Sequence, residues 1–244
     1  MKIINAQDIY YRQLNELVDE AVKTDKDITL DCVFGQRYIG RGLPEGVKIK
    51  INGFPGNDMA AYMDGAELEI FGNGQDAVGN TMNYGRIIIH GNCGDTTGYA
   101  MRGGEIYVEG NVGYRVGIHM KEYKEARPVI VIGAKAGDFL GEYMAGGALI
   151  VLGLGLKKGE DLTGRYCGTG IHGGAIFING KQDPYKYAKE AAQVELTDTD
   201  KTLLQKHITA FGKYFKKDVR QINPENFYKY APLSNNPYSK MYSK

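Results

Sequence analysis

The amino-acid sequence predicts an all-β solenoid, a right-handed single-stranded parallel β-helix of about seven rungs with a helix on each flank. Three observations predict the solenoid: abundant glycine, aliphatic pairs that recur mostly every 19 residues, and a methionine that recurs at one position of the same repeat. Glycine supplies 34 of 244 residues, about twice the usual share. Only 7 prolines and no three-residue period exclude collagen and proline-rich disorder. Ordered glycines at this density indicate tight turns at fixed positions.

The first predicted element is a helical flank in residues 1–27. Asn5 is the expected N-cap, and the helix is predicted over residues 5–23. Its expected apolar face consists of Ile9, Leu17, Val18 and Ala21. We therefore expect a helix ahead of the first rung.

The second and largest element is the predicted β-helix, in residues 28–182. Seven short β-branched runs each end in a glycine, and the residues two and four positions before it are aliphatic, as Ile51 and Ile49 are before Gly53. Such alternation is typical of a strand with one buried face. Units this short cannot bury an apolar face alone, so they must stack. The repeat glycines are Gly53, Gly72, Gly91, Gly110, Gly133, Gly153 and Gly180.

A methionine column marks a second position of the repeat. Five methionines stand fourth in a six-residue segment of each rung: Met63, Met82, Met101, Met120 and Met144. A methionine stripe can hold a soft metal or an apolar ligand, but its recurrence beside glycine in each rung favours a stacked interior column. Equal offsets from the repeat glycines also predict an inner ladder in which Ile89 lies between Ile70 and Val108.

The outward positions of the fifth and sixth rungs are predicted to be apolar. They are Ile130, Ile132, Ile150 and Leu152. Four aliphatic side chains that face water together are unusual on a soluble monomer, so we expect a cover. The cover is either the third predicted element or another subunit.

The third element, residues 183–244, is a predicted C-terminal helix and tail packed on the solenoid. The helix is expected over residues 198–217, because its apolar residues recur at helical spacing. Residues after 223 are expected to be irregular. The apolar face that matches the outward stripe consists of Leu204, Ile208, Phe211 and Phe215.

Composition and charge argue against several classes of function. Lys plus Arg is 30 and Asp plus Glu is 29, so neither nucleic acid nor an anionic membrane is an expected partner. The longest apolar stretch, residues 146–156, is too short to span a bilayer, and the first residues lack a secretion signal. Scattered Cys32, Cys93 and Cys167 argue against a disulfide framework, zinc or an iron–sulfur cluster. We expect a cytoplasmic protein with reduced thiols.

Two glycine-rich segments imitate phosphate-binding turns. Such a turn needs a helix directly after it. Residues 72–79 are followed by another rung, which favours a plain turn, whereas an anion bound beside the lysines of residues 153–159 stays open. His172 near Cys167 suggests a thiol–imidazole pair, but a glycine-rich corner is the simpler interpretation. No catalytic, cofactor-binding or metal-binding residue is predicted in this chain.

Several segments together resemble one family. GDFLGEYMAGGALIVLG (137–153) is similar to the most specific stretch of the C-terminal glycine-repeat domain, called GXGXG, of the glutamate synthase large subunit. Gly53, Gly56 and Asn57 resemble its opening rung, with Asn in place of Gln. GQRYIG, GNGQDAVG, the predicted helix and NFYKYAP extend the resemblance over residues 28–233.

The resemblance implies a right-handed parallel β-helix that holds other parts of an enzyme together. In glutamate synthase an amidotransferase domain releases ammonia from glutamine, and a flavin and iron–sulfur domain adds it to 2-oxoglutarate and reduces the product. Residue 2 is Lys rather than an amidotransferase cysteine, so the resemblance implies a non-catalytic chain that works with partners. These are an amidotransferase-like subunit and a synthase-like subunit, the latter carrying FMN and an iron–sulfur cluster.

Alternatives to this function and assembly stay open. Residues 119–128 depart from the family pattern, so the surface there can fit different partners. The glycine-repeat component of formylmethanofuran dehydrogenase shares the repeat but lacks a clear equivalent of residues 195–233. A carbohydrate-active β-helix protein is the catalytic alternative, and a homo-oligomer is a possible assembly.

Overall fold

The fold is known from a computed structural model that describes residues 1–157 and 159–234. Lys158 and residues 235–244, a tail predicted to pack on the solenoid, lie outside the described residues. The helices are α1 (Tyr11–Thr24) and α2 (Asp198–Phe215), with 3₁₀ turns at Pro184–Lys186 and Pro224–Asn226. The strands are β1 (Lys2–Asn5), β2 (Asp27–Phe34), β3 (Lys48–Phe54), β4 (Asp64–Phe71), β5 (Tyr84–Ile89), β6 (Glu105–Val108), β7 (Val129–Ile132), β8 (Ala145–Val151), β9 (Gly173–Asn179), β10 (Ala191–Val194) and β11 (Phe227–Pro232).

All eleven strands form one sheet in the order β1 to β9, then β11 and β10. Strands β1 to β9 pair in parallel with their neighbours in the chain, whereas β11 pairs antiparallel with β9 and with β10. The predicted parallel β-helix is therefore confirmed. About six turns separate the seven repeat strands, β3 to β9, and two further strands precede them.

The core fills the inside of the stack, as the alternation of aliphatic residues predicts. Ile89 pairs with Ile70 on one side and with Val108 on the other, and all three side chains are buried. The five methionines of the predicted column are fully buried in the same interior core. Successive rungs therefore share one continuous apolar interior.

The predicted register is wrong by one residue in the fifth rung. Ile106 pairs with Ile130 and Val108 with Ile132, so both isoleucines point into the core rather than outward. The residue equivalent to Gly110 is therefore Ala134, whose N–H donates to the carbonyl oxygen of Gly110 at 3.0 Å. Gly133 lies one position earlier, on the outer side of the rung, so it is not a member of the repeat-glycine column.

The true outer stripe is still apolar, and α2 covers it. Its buried members on β5 to β9 and the loop after β8 are Ile88, Tyr107, Val129, Val131, Ala148, Ile150, Leu152, Ala175 and Phe177. They form a second core with Leu204, Ile208, Phe211 and Phe215 of α2. The predicted cover is confirmed, although two members of the predicted stripe, Ile130 and Ile132, belong inside.

A capping box fixes the start of α2. The Thr197 side chain accepts a hydrogen bond from the N–H of Asp200, and the Asp200 carboxylate accepts one from the N–H of Thr197 at 2.8 Å. These bonds satisfy two donors that the first turn leaves open. The segment after 223, predicted to be irregular, instead contains β11, because its backbone pairs with the free edge of β9.

The N-terminal flank differs most from the sequence prediction. Residues 2–5 form β1, whose backbone pairs with β2, so Asn5 ends a strand and does not begin the helix predicted over residues 5–23. Asn5 therefore is not the N-cap, and α1 begins only at Tyr11. The buried face consists of Leu14, Asn15, Val18 and Ala21, whereas Leu17 is exposed.

None of the helices within residues 1–157 and 159–234 is both long enough and apolar enough to cross a lipid bilayer.

Candidate interaction surface

The repeat glycines make room for a ladder of side-chain oxygens. Oδ1 of Asn73 accepts the N–H of Asn92, and Oδ1 of Asn92 accepts the N–H of Asn111, both at 2.8 Å. A Cβ atom on Gly91 or Gly110 would lie 2.4 Å from the asparagine oxygen of the preceding rung. Glycine is needed there because the ladder occupies the space of a side chain.

A second set of glycines shapes the turn before each methionine of the column. In the fourth rung Arg115, Gly117 and His119 have φ values of 55°, 72° and 55°. The N–H of Gly117 donates to the preceding rung, at Thr97, whereas the N–H groups of Arg115 and His119 donate to the following rung. A Cβ atom on Gly117 would meet Leu149 in the core at 2.8 Å. The middle residue therefore points inward and the two flanking side chains point outward.

Outward side chains of these turns form a patch that we call the aromatic corner. It consists of Tyr99, Tyr114, His119, Phe139, Tyr143 and Tyr166. The His119 ring stacks on Tyr143 at 5.4 Å between centroids and meets Tyr99 edge-on at 5.9 Å. Phe139 stacks on Tyr166 at 5.0 Å. Tyr114 and Tyr166 each expose about half of their surface, at 52% and 51%.

Arg115 adds a cation to the aromatic corner. Its guanidinium lies 4.8 Å from the ring centroid of Phe139, and its Nε lies 2.9 Å from Oε2 of Glu142. Glu142 is mostly buried, whereas Arg115 is half-exposed. Rigid aromatic rings beside arginine are the composition of protein-binding hot spots. The corner is built from turns and α2 covers strands, so α2 leaves the corner free.

Comparison with known proteins agrees with this architecture. The sequence model of the GXGXG motif family matches residues 21–233. The chain belongs to the GXGXG family. It is also 47% identical over 251 residues to the uncharacterized protein MJ1350 of Methanocaldococcus jannaschii, covering 99% of this chain and 96% of the relative.

In this GXGXG chain the glycine spacing has a physical meaning. A glycine three residues before the column methionine supplies the inward, left-handed residue in four rungs, namely Gly79, Gly98, Gly117 and Gly141. Ala60 takes the same place in an earlier rung at φ 59°. Residues one position before the methionine, such as His119 and Tyr143, point outward. That position is the sequence signal for His119 and Tyr143 of the aromatic corner, and the strand pattern does not reveal it.

A polar network holds α2 on the solenoid. Glu67, Arg86 and Glu105 stack on three adjacent strands with N–O distances of 3.0 and 3.2 Å. Lys206 of α2 continues the alternation and lies 3.2 Å from Glu105. Burial alone would raise the pKa of Glu105, but neighbouring positive charges such as Lys206 lower it overall. Alternating charges across adjacent strands favour this strand register and this packing position of α2 on the solenoid.

Next to this network, the buried His207 of α2 meets the solenoid. The hydroxyl of Tyr107 lies 2.8 Å from Nδ1 of His207. Burial raises the pKa of Tyr107 and lowers the pKa of His207 to about 4. Both groups are therefore neutral near pH 7, which suits a hydrogen bond between two neutral partners.

Two of the three cysteines, Cys93 and Cys167, are buried. Burial raises the pKa of Cys93 and of Cys167 to about 11. The Cys167 thiol donates to the carbonyl oxygen of Gly164, and a ring nitrogen of His172 lies 3.1 Å from the carbonyl oxygen of Gly170. The structure therefore gives these two residues separate partners, as the simpler sequence interpretation expects.

The two glycine-rich segments that imitate phosphate sites have plain surroundings. Residues 72–79 lead into the next turn and then into β5, so no helix follows them. In the second segment the N–H of Lys157 donates to Glu160, and Lys158 lies outside the described residues. Across the described ranges, 1–157 and 159–234, no three acidic, histidine or cysteine side chains form a metal-binding group.

Proposed function

We propose that the chain is a non-catalytic scaffold subunit of a glutamate synthase-type complex. It holds an amidotransferase-like subunit, which releases ammonia from glutamine, beside a synthase-like subunit, which adds the ammonia to 2-oxoglutarate. The FMN and the iron–sulfur cluster belong to the synthase-like partner. Such a complex works in nitrogen metabolism, and a cytoplasmic location suits its substrates.

The aromatic corner is the observation that supports this proposal best. Its rings extend over four consecutive rungs, from Tyr99 to Tyr166, and ring contacts join His119 to Tyr99 and to Tyr143, and Phe139 to Tyr166. Fixed rings lose little conformational entropy on binding. Membership of the GXGXG family supports an association of the glutamate synthase type. The fold, a stack with one face covered by α2 and its turns exposed, suits a rigid spacer between two larger subunits.

Reconstitution tests the proposal. We expect this chain to bind an amidotransferase-like chain and a flavin synthase-like chain from the same organism. Glutamine-dependent glutamate formation should require all three chains. Ammonia-dependent glutamate formation by the synthase-like chain should continue without this chain, because a scaffold contributes no reacting group. The readouts are gel filtration with light scattering and a glutamate assay with either nitrogen source.

A substitution pair locates the interface. Tyr143→Asp with Tyr166→Asp should weaken assembly by about tenfold or more, because hot-spot aromatic residues each contribute about 2 kcal/mol or more. Tyr185→Asp is the control, since Tyr185 is 64% exposed and lies outside the aromatic corner. Assembly with subunits of a molybdenum or tungsten enzyme would instead favour the formylmethanofuran dehydrogenase alternative.

A further inference from the structure

A cleft of about 490 Å³ opens at the first rung, far along the stack from the aromatic corner. Its walls include Tyr10 and Tyr11 at the start of α1, and Phe34 and Arg37 after β2. Tyr10 exposes 62% and Phe34 82% of its surface. Two large aromatic side chains this exposed beside one cleft form an apolar surface that a partner can cover.

Hydrogen bonds fix the walls of this N-terminal cleft. The side-chain amide of Asn15 donates to the carbonyl oxygens of Tyr11 at 2.7 Å and Arg37 at 2.8 Å. The buried Gln36 side chain accepts the N–H of Phe34 at 2.6 Å and donates to Ala6 at 2.9 Å. The helix, the strand end and the N-terminal segment are thus joined across the cleft floor. A fixed cleft binds a ligand with little reorganisation.

Two arginines place positive charge at the cleft. Arg12 donates from Nε to the hydroxyl of Tyr11 at 3.3 Å, and Arg37 lines the cleft directly. The hydrogen bond from Arg12 lowers the pKa of Tyr11, and the charge of Arg37 acts in the same direction. In residues 1–157 and 159–234 neither guanidinium forms a salt bridge, whereas the nearby Arg41 pairs with Asp19 at 2.8 Å.

We propose that the N-terminal cleft binds an extended acidic segment of a partner protein, one that carries aromatic or other apolar residues between its carboxylates. The carboxylates would meet Arg12 and Arg37, since guanidinium binds carboxylate in a two-pronged geometry. The apolar residues would pack on Tyr10 and Phe34. A second copy of this chain fits less well. A two-fold contact centred on the cleft would place the arginines of one copy against those of the other.

This inference goes beyond the scaffold proposal and does not depend on the reaction that the complex performs. The probe is a fluorescent synthetic peptide that alternates acidic and aromatic residues, and binding to the full chain is followed by anisotropy. We expect saturable binding that weakens as salt is raised, because exposed charges are screened. The same peptide with glutamine in place of glutamate should bind about tenfold or more weakly.

Matched variants assign the binding to the cleft. Arg12→Glu with Arg37→Glu should weaken peptide binding by about tenfold or more, and Phe34→Ser should weaken it as well. Lys181→Glu with Lys189→Glu changes the net charge equally at exposed positions beyond β9 and should leave binding unchanged. Thermal melting checks that every variant is folded. Phe34 and Arg37 line the cleft, and Arg12 contacts Tyr11 in its wall. The two control lysines do not line the cleft.

Three outcomes would overturn the inference. The first is that the acidic peptide binds no better than its glutamine counterpart, or that the arginine and lysine variants weaken it equally. The second is concentration-dependent dimerisation of the chain that Phe34→Ser abolishes, which would assign the cleft to a second copy. The third is that a single-stranded oligonucleotide binds the cleft more tightly than the peptide.

Discussion

Glycine occupies two kinds of position in the turns, and each kind excludes a side chain for its own reason. At Gly110 the space of a Cβ atom is filled by Oδ1 of Asn92, which accepts a hydrogen bond from the next rung. At Gly117 the backbone is left-handed, and a Cβ atom would enter the core at Leu149. At a position of the first kind the Cβ atom would clash with a neighbouring side chain, so shortening that side chain can relieve the clash. At a position of the second kind the left-handed backbone itself disfavours a side chain.

Gly110→Ala tests the first kind. We expect the free energy of unfolding to fall by about 1–3 kcal/mol, the usual cost of overpacking, because the new methyl group would lie 2.4 Å from Asn92. Asn92→Gly removes that oxygen, so the double variant should lose less than the sum of the two single losses. Urea unfolding of the four proteins gives the comparison. Additive losses would show that the asparagine ladder does not explain the glycine.

At the scale of secondary-structure elements, the sequence predicts the rungs well but one register wrongly. The alternation correctly predicts that Ile89 lies between Ile70 and Val108, because the outward residues of those three strands are less apolar than the inward residues. Strand β7 reads Val-Ile-Val-Ile and is buried on both sides, so either register satisfies a period of two. The nearest glycine, Gly133, then decides the predicted register. Only pairing with β6 distinguishes the two registers.

Other elements escape prediction because only their pairing with another strand identifies them as strands. Strand β1 exists because it pairs with β2, and β11 because it pairs with β9, about fifty residues earlier in the chain. Neither segment has a strand pattern strong enough to reveal this alone. The aromatic corner escapes prediction for a different reason. Its residues, such as His119 and Tyr143, point outward through left-handed backbone, which a strand period does not describe.

The free energy of unfolding should depend on pH through His207, which lies where α2 packs on the solenoid. Burial lowers the pKa of His207 to about 4, whereas an unfolded histidine titrates near 6.5. The unfolded chain therefore takes up a proton first, and the free energy of unfolding should fall by up to about 3 kcal/mol as pH drops from about 6.5 to 4. The contribution of Glu105, whose pKa is lowered, is lost as pH falls from the unfolded glutamate pKa of about 4.3 through the lower folded pKa, so this loss begins where that of His207 ends.

His207→Gln isolates that effect. The variant should lose most of the pH dependence between about pH 6.5 and 4, because glutamine does not titrate. His172→Gln is the control, since His172 lies near the surface and away from α2, and it should keep the dependence. Urea unfolding at several pH values measures both. An unchanged pH profile in His207→Gln would show that His207 is not the group responsible.

At the scale of the whole molecule, the solenoid has one closed side and one open side. Strands β5 to β9 are covered by α2, and β11 covers the edge of β9. The turns that carry the aromatic corner and the N-terminal cleft remain free. This division separates surfaces that stabilise the chain from surfaces available to partners. It predicts that the C-terminal segment is needed for a soluble solenoid.

Truncation after Pro184 tests that division. It removes α2 and exposes Val131, Ile150 and Phe177, which are fully buried in the intact chain. Burial of each such side chain contributes about 1.5–3 kcal/mol, so the truncated protein should melt at lower temperature, bind a hydrophobic dye and aggregate. Light scattering and dye fluorescence measure this directly.

Because truncation also frees the edge of β9, a point variant must separate the two causes. Ile208→Asp keeps β11 but places a charge in the seat of α2, and we expect dye binding close to that of the truncated protein. Gln205→Asp puts the same charge on the exposed face of α2 and should behave as wild type. If Ile208→Asp also behaves as wild type while the truncated protein aggregates, the uncovered edge of β9 is the cause rather than loss of the α2 cover. If the truncated protein stays soluble, with unchanged melting and no dye binding, the covered face does not need α2 for stability.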